Sequence, residues 1–214
     1  MPCMITAHAG ALGTEDNSLA SLKTCLAFFG GNGCIEVDVR FNAQGAPILT
    51  HDAPKPGGPP PLLSEFFAML QGSSTRVNLD LKETSNLPEV QRLAEEYSVL
   101  PHVFFTGVFA DWADVVREAA PKIPYYINVN FPGDDLPALA REIIALGGIG
   151  LNTRYQAASK EMADIMHENG LLLSVWTANE PADMRRMLSF DADNITTRRP
   201  DILRDILSES VGRN

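Results

Sequence analysis

The sequence predicts an α/β fold, a (β/α)8 TIM-type barrel with a β-hairpin excursion after the second strand. Three observations lead there. Short β-rich apolar runs alternate with helical stretches along all 214 residues, eight of each, which suits a closed parallel barrel. The punctuation is that of β/α units: proline stands at or near the first turn of several helices, and Gly30, Gly72, Gly147 and Gly170 fall just past helix ends. The first strand leads into His8-Ala9-Gly10-Ala11-Leu12-Gly13, which lacks the G-x-G-x-x-G of a dinucleotide-binding open sheet.

In chain order, strands are expected at 4–7, 34–39, 76–81, 102–106, 125–129, 149–152, 171–176 and 193–196. The helices that follow them are expected at 18–29, 62–70, 88–97, 110–120, 134–146, 159–169, 181–189 and 200–207. One segment breaks the alternation. After the second strand, Asn42-Ala43-Gln44-Gly45 reads as a turn and residues 46–50 as a returning strand ending in His51-Asp52. A Pro/Gly-rich stretch, 54–61, then leads to the next helix. Residues 1–214 are expected to form a single barrel domain.

Composition narrows the class. Hydrophobic residues make up 45% and charged residues 21%, an ordinary globular balance. The net charge of −10 argues against nucleic acid and anionic membrane as partners. Cys3, Cys25 and Cys34 match no common zinc spacing and suit reduced cysteines in a cytoplasmic protein. The opening MPCMITAHAG has neither the basic nor the long apolar region of a signal peptide, and no run is long enough to span a membrane. Oligomeric state is left open.

The chemistry concentrates on two strands. Side chains alternate along a strand, so Ile35, Val37 and Val39 share one face and Glu36, Asp38 and Arg40 the other. The same alternation sets Val77, Leu79 and Leu81 against Asn78, Asp80 and Lys82. With the apolar sets under the helices, three carboxylates and two cations meet at the C-terminal mouth, where barrel active sites lie. Clustered carboxylates need a compensating charge. A hard divalent cation, Mg²⁺ or Ca²⁺, supplies it; an ion-pair network with Arg40 and Lys82 is the other arrangement. His8 and His51 end strands at that same mouth, whereas His102 and His167 are read as structural.

These residues carry a resemblance. Ile5-Thr6-Ala7-His8-Ala9-Gly10, Asp16-Asn17-Ser18-Leu19, Ile35-Glu36-Val37-Asp38-Val39, Gly45-Ala46-Pro47-Ile48-Leu49-Thr50-His51-Asp52, Leu79-Asp80-Leu81-Lys82, Val175-Trp176-Thr177-Ala178-Asn179 and residues 195–201 resemble, in order, seven motifs of the glycerophosphodiester phosphodiesterase family. Residues 84–170 match it only in rhythm. The resemblance implies metal-dependent hydrolysis of a glycerophosphodiester, or similar small phosphodiester, to an alcohol and a phosphomonoester. It implies acid/base catalysis by His8 and His51, one divalent cation held by Glu36, Asp38 and Asp80, phosphate contact by Lys82, and a pocket wall at Trp176. Trp176 also reads as core packing. Asp16-Asn17 reads as a helix N-cap, with Asn17 as a brace for the site.

The sequence departs from the family pattern in four places. Ala9 replaces the phosphate-binding arginine of H-R-G, a loss on the order of 3 kcal/mol of transition-state stabilisation. Arg40 is expected to compensate. Asp80 replaces the usual glutamate, and Arg198 the aspartate of the closing motif. The insertion usual after H-D is nearly absent. The related spider-venom phospholipase D enzymes are similar in having Asp at that position and lacking that arginine. Two other functions therefore stand beside hydrolysis: a barrel that binds a phosphorylated ligand without turnover, and a lyase-type phospholipase D giving a cyclic phosphate.

Overall fold

In a computed structural model, residues 3–54 and 58–211 are described. Eight parallel strands close on themselves in the order β1 (Met4–Ala7), β9 (Asn194–Thr197), β8 (Leu172–Trp176), β7 (Gly150–Arg154), β6 (Tyr125–Asn128), β5 (Val103–Val108), β4 (Arg76–Leu81) and β2 (Cys34–Phe41), with β2 returning to β1. A short antiparallel strand, β3 (Pro47–Leu49), pairs with the end of β2 and forms the expected hairpin. The barrel is thus the one expected.

The helices form where periodicity and caps agree. Ser18 accepts from the Ser21 N–H to start α1 (Leu19–Phe29), which ends at Gly30 in the left-handed region, φ 56°. Ser159 does the same for α6 (Lys160–Glu168) through the Met162 N–H. Proline occupies the first turn of α3 (Leu87–Glu96), α5 (Leu136–Ala145) and α7 (Pro181–Ser189). The remaining helices are α2 (Leu63–Leu70), α4 (Ala113–Ala119) and α8 (Pro200–Val211).

Where bounds differ from expectation, local geometry explains it. His102 closes a 3-10 turn by donating its N–H to the Val99 carbonyl, so β5 begins one residue later. β7 runs on to Arg154, because its pairing with β8 continues through Arg154 and Trp176. Of the Pro/Gly-rich stretch 54–61, residues 55–57 lie outside the described residues.

The apolar core lies between strands and helices. Ile35, Val37 and Val39 of β2 pack there with Val77, Leu79 and Leu81 of β4, against side chains such as Phe66, Phe67 and Leu22. Each such side chain, fully removed from water, contributes roughly 1.5–3 kcal/mol of transfer free energy. Inside the barrel the character changes with height. Cys34, Phe104 and Tyr126 form a small apolar plug near the N-terminal end. Above it comes a buried layer of amides and hydroxyls that bond one another: Thr6 to Asn194, Asn194 to Ser174, Thr106 to Asn78, and Asn152 to Asn128. This layer is the floor of the site.

Gly107 shapes the rim. It sits at φ 73° where the β5–β6 register shifts, and its N–H donates to Asn128 Oδ1 at 2.9 Å. A Cβ there would lie 2.4 Å from the Leu81 carbonyl oxygen. Only glycine permits that approach.

Candidate active site

A cavity of about 420 Å³ opens at the C-terminal end of the barrel. Its lining includes seven of the nine residues singled out from sequence: His8, Glu36, Asp38, His51, Asp80, Lys82 and Trp176. Alternation is the reason. In the β2–β4 register Glu36 stands beside Asn78 and Asp38 beside Asp80, so the inward positions of two neighbouring strands stack their acids.

The carboxylates are held firmly. Lys82 bridges two of them, at 2.9 Å from Asp38 Oδ1 and in direct contact with Asp80. Burial alone would lower the Lys82 pKa, but Asp80 and Asp38 outweigh it and hold it above the ordinary lysine value. Thr106 Oγ1 donates toward Asp80 Oδ1 at 2.8 Å. Asn78 Nδ2 donates to Glu36 Oε2 at 3.3 Å. Glu36 is buried, and its pKa is raised well above the ordinary carboxyl value, first by desolvation and then by Asp80 and Asp38.

The two histidines occupy different environments. The His8 side chain is 22% exposed, and its Nε2 lies 3.7 Å from Glu36 Oε1. Burial, then the Arg198 charge, lowers its pKa, so the ring is neutral at pH 7. His8 Nδ1 is buried with no hydrogen-bond partner among the described residues. The His51 side chain is 67% exposed at the rim, with Nδ1 3.0 Å from Asp52 Oδ1. His167 lies elsewhere, Nε2 2.8 Å from Asp193 Oδ2.

The other two predicted residues support the site from outside the cavity lining. Arg40 does not join the acids. β2 has already entered the hairpin there, and Arg40 Nε donates to the His51 carbonyl at 2.8 Å. Its observed place is that of a brace for the His51 backbone, outside the cavity lining that holds the acids. Asn17 is buried and bonds Asp38 twice, Nδ2 to Oδ2 at 2.7 Å and Oδ1 from the Asp38 N–H at 2.9 Å. The helix cap is Ser18, and Asn17 is the brace.

Asp16 and Arg198 form a bidentate pair, both contacts 2.7 Å, joining the loops after β1 and β9. Gly10 makes room for it: a Cβ there would lie 1.9 Å from Asp16 Oδ1. The Arg198 hydrogen bond holds the Asp16 carboxyl below its ordinary value.

Sequence reasoning missed Asn128, Asn130, Asn152 and Arg154, which line the opposite wall. The alternation that found Glu36 and Asp38 would also have found Arg154, two residues beyond Asn152, had the strand been read to its end.

The donor set suits a hard divalent cation in chemistry. It offers three acidic oxygen groups against one ammonium, with a buried Glu36 whose ionised form is disfavoured first by desolvation and then by Asp80 and Asp38. Among the described residues, no group of three or more His, Cys, Asp or Glu side chains stands ready at metal-binding spacing. Lys82 lies between two of the acids instead.

Known structures share this fold. A Silicibacter pomeroyi DSS-3 protein assigned as a glycerophosphoryl diester phosphodiesterase is 21% identical, with TM-score 0.84 over 98% of this chain and 95% of its own. A Parabacteroides distasonis ATCC 8503 glycerophosphodiester phosphodiesterase is 18% identical, with TM-score 0.79 over 98% of each chain. An Oleispira antarctica phosphodiesterase, solved with the product sn-glycerol-3-phosphate, is 18% identical, with TM-score 0.78 over 96% of each. No curated protein matches by sequence. The family model for the glycerophosphoryl diester phosphodiesterase family matches residues 54–202, a span that holds Asp80, Lys82 and Trp176 and begins after His51. With more than half of its length matched, the chain belongs to the glycerophosphoryl diester phosphodiesterase family and is a phosphoric diester hydrolase.

Proposed function

We propose that the chain hydrolyses a glycerophosphodiester, or a similar small phosphodiester, to an alcohol and a phosphomonoester, with His8 and His51 as the acid/base pair. One observation carries this reading: a single cavity gathers both histidines, three carboxylates and a lysine at a barrel mouth. The product sn-glycerol-3-phosphate bound to the Oleispira antarctica phosphodiesterase supports a substrate of this class.

Glu36, Asp38 and Asp80 would hold one Mg²⁺ or Ca²⁺. When bound, such a cation polarises phosphoryl oxygens and offsets the negative charge that develops on them. Lys82 binds and orients the phosphoryl group. Neutral His8 accepts the proton of the attacking water as the new P–O bond forms. His51, its ring nitrogen Nδ1 3.0 Å from Asp52 Oδ1, gives a proton to the alcohol oxygen as the old P–O bond breaks. Asn17 and Arg40 keep Asp38 and His51 in place.

The test is turnover of glycerophosphocholine and an aryl phosphodiester with Mg²⁺ or Ca²⁺, followed by phosphorus NMR in ¹⁸O-water. A chelator is expected to stop turnover, and the product to be a monoester carrying ¹⁸O. His8→Ala and His51→Ala are each expected to lose at least ~100-fold. Full activity in chelator, a cyclic phosphate as final product, or two active histidine variants would overturn the corresponding part.

A further inference from the structure

From Arg154 we infer a specificity subsite: the cavity wall opposite the acids selects diesters whose alcohol carries a second oxyanion. This rests on the proposed hydrolysis of phosphodiesters and adds the class of leaving alcohol.

The first observation is position. Around the closed sheet, β7 lies four strands from β2 in either direction. Arg154, the last residue of β7, therefore lines the mouth on the far side from Glu36 and Asp38. A phosphorus atom beside Lys82 and the histidines would send one ester arm across the mouth toward it.

The second is how the guanidinium is held. Its carbon sits 5.2 Å from the Trp176 ring centroid and 5.3 Å from that of Phe131. Cation–π contact with two rings holds a guanidinium in place without using its N–H donors in hydrogen bonds, and leaves them for a planar or tetrahedral oxyanion. Among the described residues no carboxylate pairs with Arg154, and its Nε is buried with no hydrogen-bond partner.

The third is that its neighbours are also unsatisfied. Trp176 Nε1 and Asn130 Oδ1, both on residues lining the cavity, are buried without partners. Buried polar atoms are normally paired. Together they offer two N–H donors for an anion and an acceptor for an adjacent hydroxyl, which fits a phosphorylated polyol. The other arginines near the mouth are already engaged, Arg198 by Asp16 and Arg40 by the His51 carbonyl. A cationic head group would face an unneutralised guanidinium.

The experiment compares kcat/KM and equilibrium binding for three diesters: bis(glycerophospho)glycerol, whose alcohol carries a second phosphodiester, neutral-headed glycerophosphoglycerol, and glycerophosphocholine. The wild type is expected to favour the doubly anionic substrate. Arg154→Gln is expected to lower the doubly-anionic-to-choline ratio at least ~10-fold, the size of a lost charge-assisted hydrogen bond. Phe131→Ala, at a side chain 71% exposed and so unable to disturb the core, is expected to lower the same ratio about 3-fold by removing one of the two rings that hold the guanidinium. A wild-type preference for the choline ester, or an equal loss on all three diesters in both variants, would overturn the subsite. If no diester is turned over, the proposed reaction fails, and the binding ratios still decide the role of Arg154.

Discussion

Asn17 and Asp38 grip each other through both ends of one amide, so the loop after β1 fixes an acid on β2. The carboxylate oxygen not used by Asn17 is the one that meets Lys82. Removing the amide strands a buried N–H and a buried carboxylate oxygen together. Asn17→Ala is expected to cost roughly 2–4 kcal/mol in chemical denaturation. Asn17 also sits at φ 56°, where alanine is strained. Asn17→Gly removes that strain while still losing both bonds. Equal stability of Asn17→Gly and wild type would show that the bonds contribute nothing.

Glu36→Gln separates stability from chemistry. The residue is buried among like charges that disfavour its ionised form. A neutral isostere keeps the Asn78 neighbour and relieves the repulsion. Without divalent cation, the variant's Tm is expected to equal or exceed that of the wild type, while turnover falls at least ~100-fold. A large drop in Tm would mean that the charge is a structural partner.

The Asp16–Arg198 pair gives a pH dependence of known sign. The folded-state pKa of Asp16 lies below its ordinary 3.8, because Arg198 bonds the ionised form. Its stabilisation is therefore fully present above that value and is lost as pH falls through the folded pKa. The Tm gap between wild type and Asp16→Asn is expected to be constant near neutrality and to close below about pH 3.8. A gap that persists in acid would assign the effect to packing.

Gly107→Ala should be among the most damaging single-methyl additions. The new Cβ would press on the Leu81 carbonyl and amide, both main-chain atoms, at a positive φ. A loss of about 3 kcal/mol or more is expected, read by denaturant midpoint. Wild-type stability would show that the rim yields.

What could be read from the sequence was whatever obeys a local period. β2 and β4 alternate so regularly that the acids and Lys82 could be placed in the mouth before any coordinates, and the hairpin turn marked where His51 returns. What a local period leaves open has a different cause. Arg40 keeps the alternation but lies where β2 bends into the hairpin, and strand parity says nothing about a side chain reaching a neighbouring carbonyl. Asn17 carries the composition of a cap, while its partner is 21 positions away. Arg154 lay just beyond the expected strand end, in the stretch that matches the family only in rhythm. Asp16 and Arg198 stand 182 positions apart, beyond any window that periodicity can scan.

The seam between β1 and β9 has a consequence for the order of assembly. Met4 to Ala7 find their partners in Asn194 to Thr197, and the Asp16–Arg198 fork locks the same join. During synthesis the first strand waits for almost the whole domain to emerge before one of its two edges is covered. Contacts of such long sequence separation form late. His8 stands directly above this join and donates its N–H to the Thr197 carbonyl. His8, the proposed proton acceptor, is thus set in place by the last strand to arrive, and a nascent chain lacking that strand would carry its acids without it.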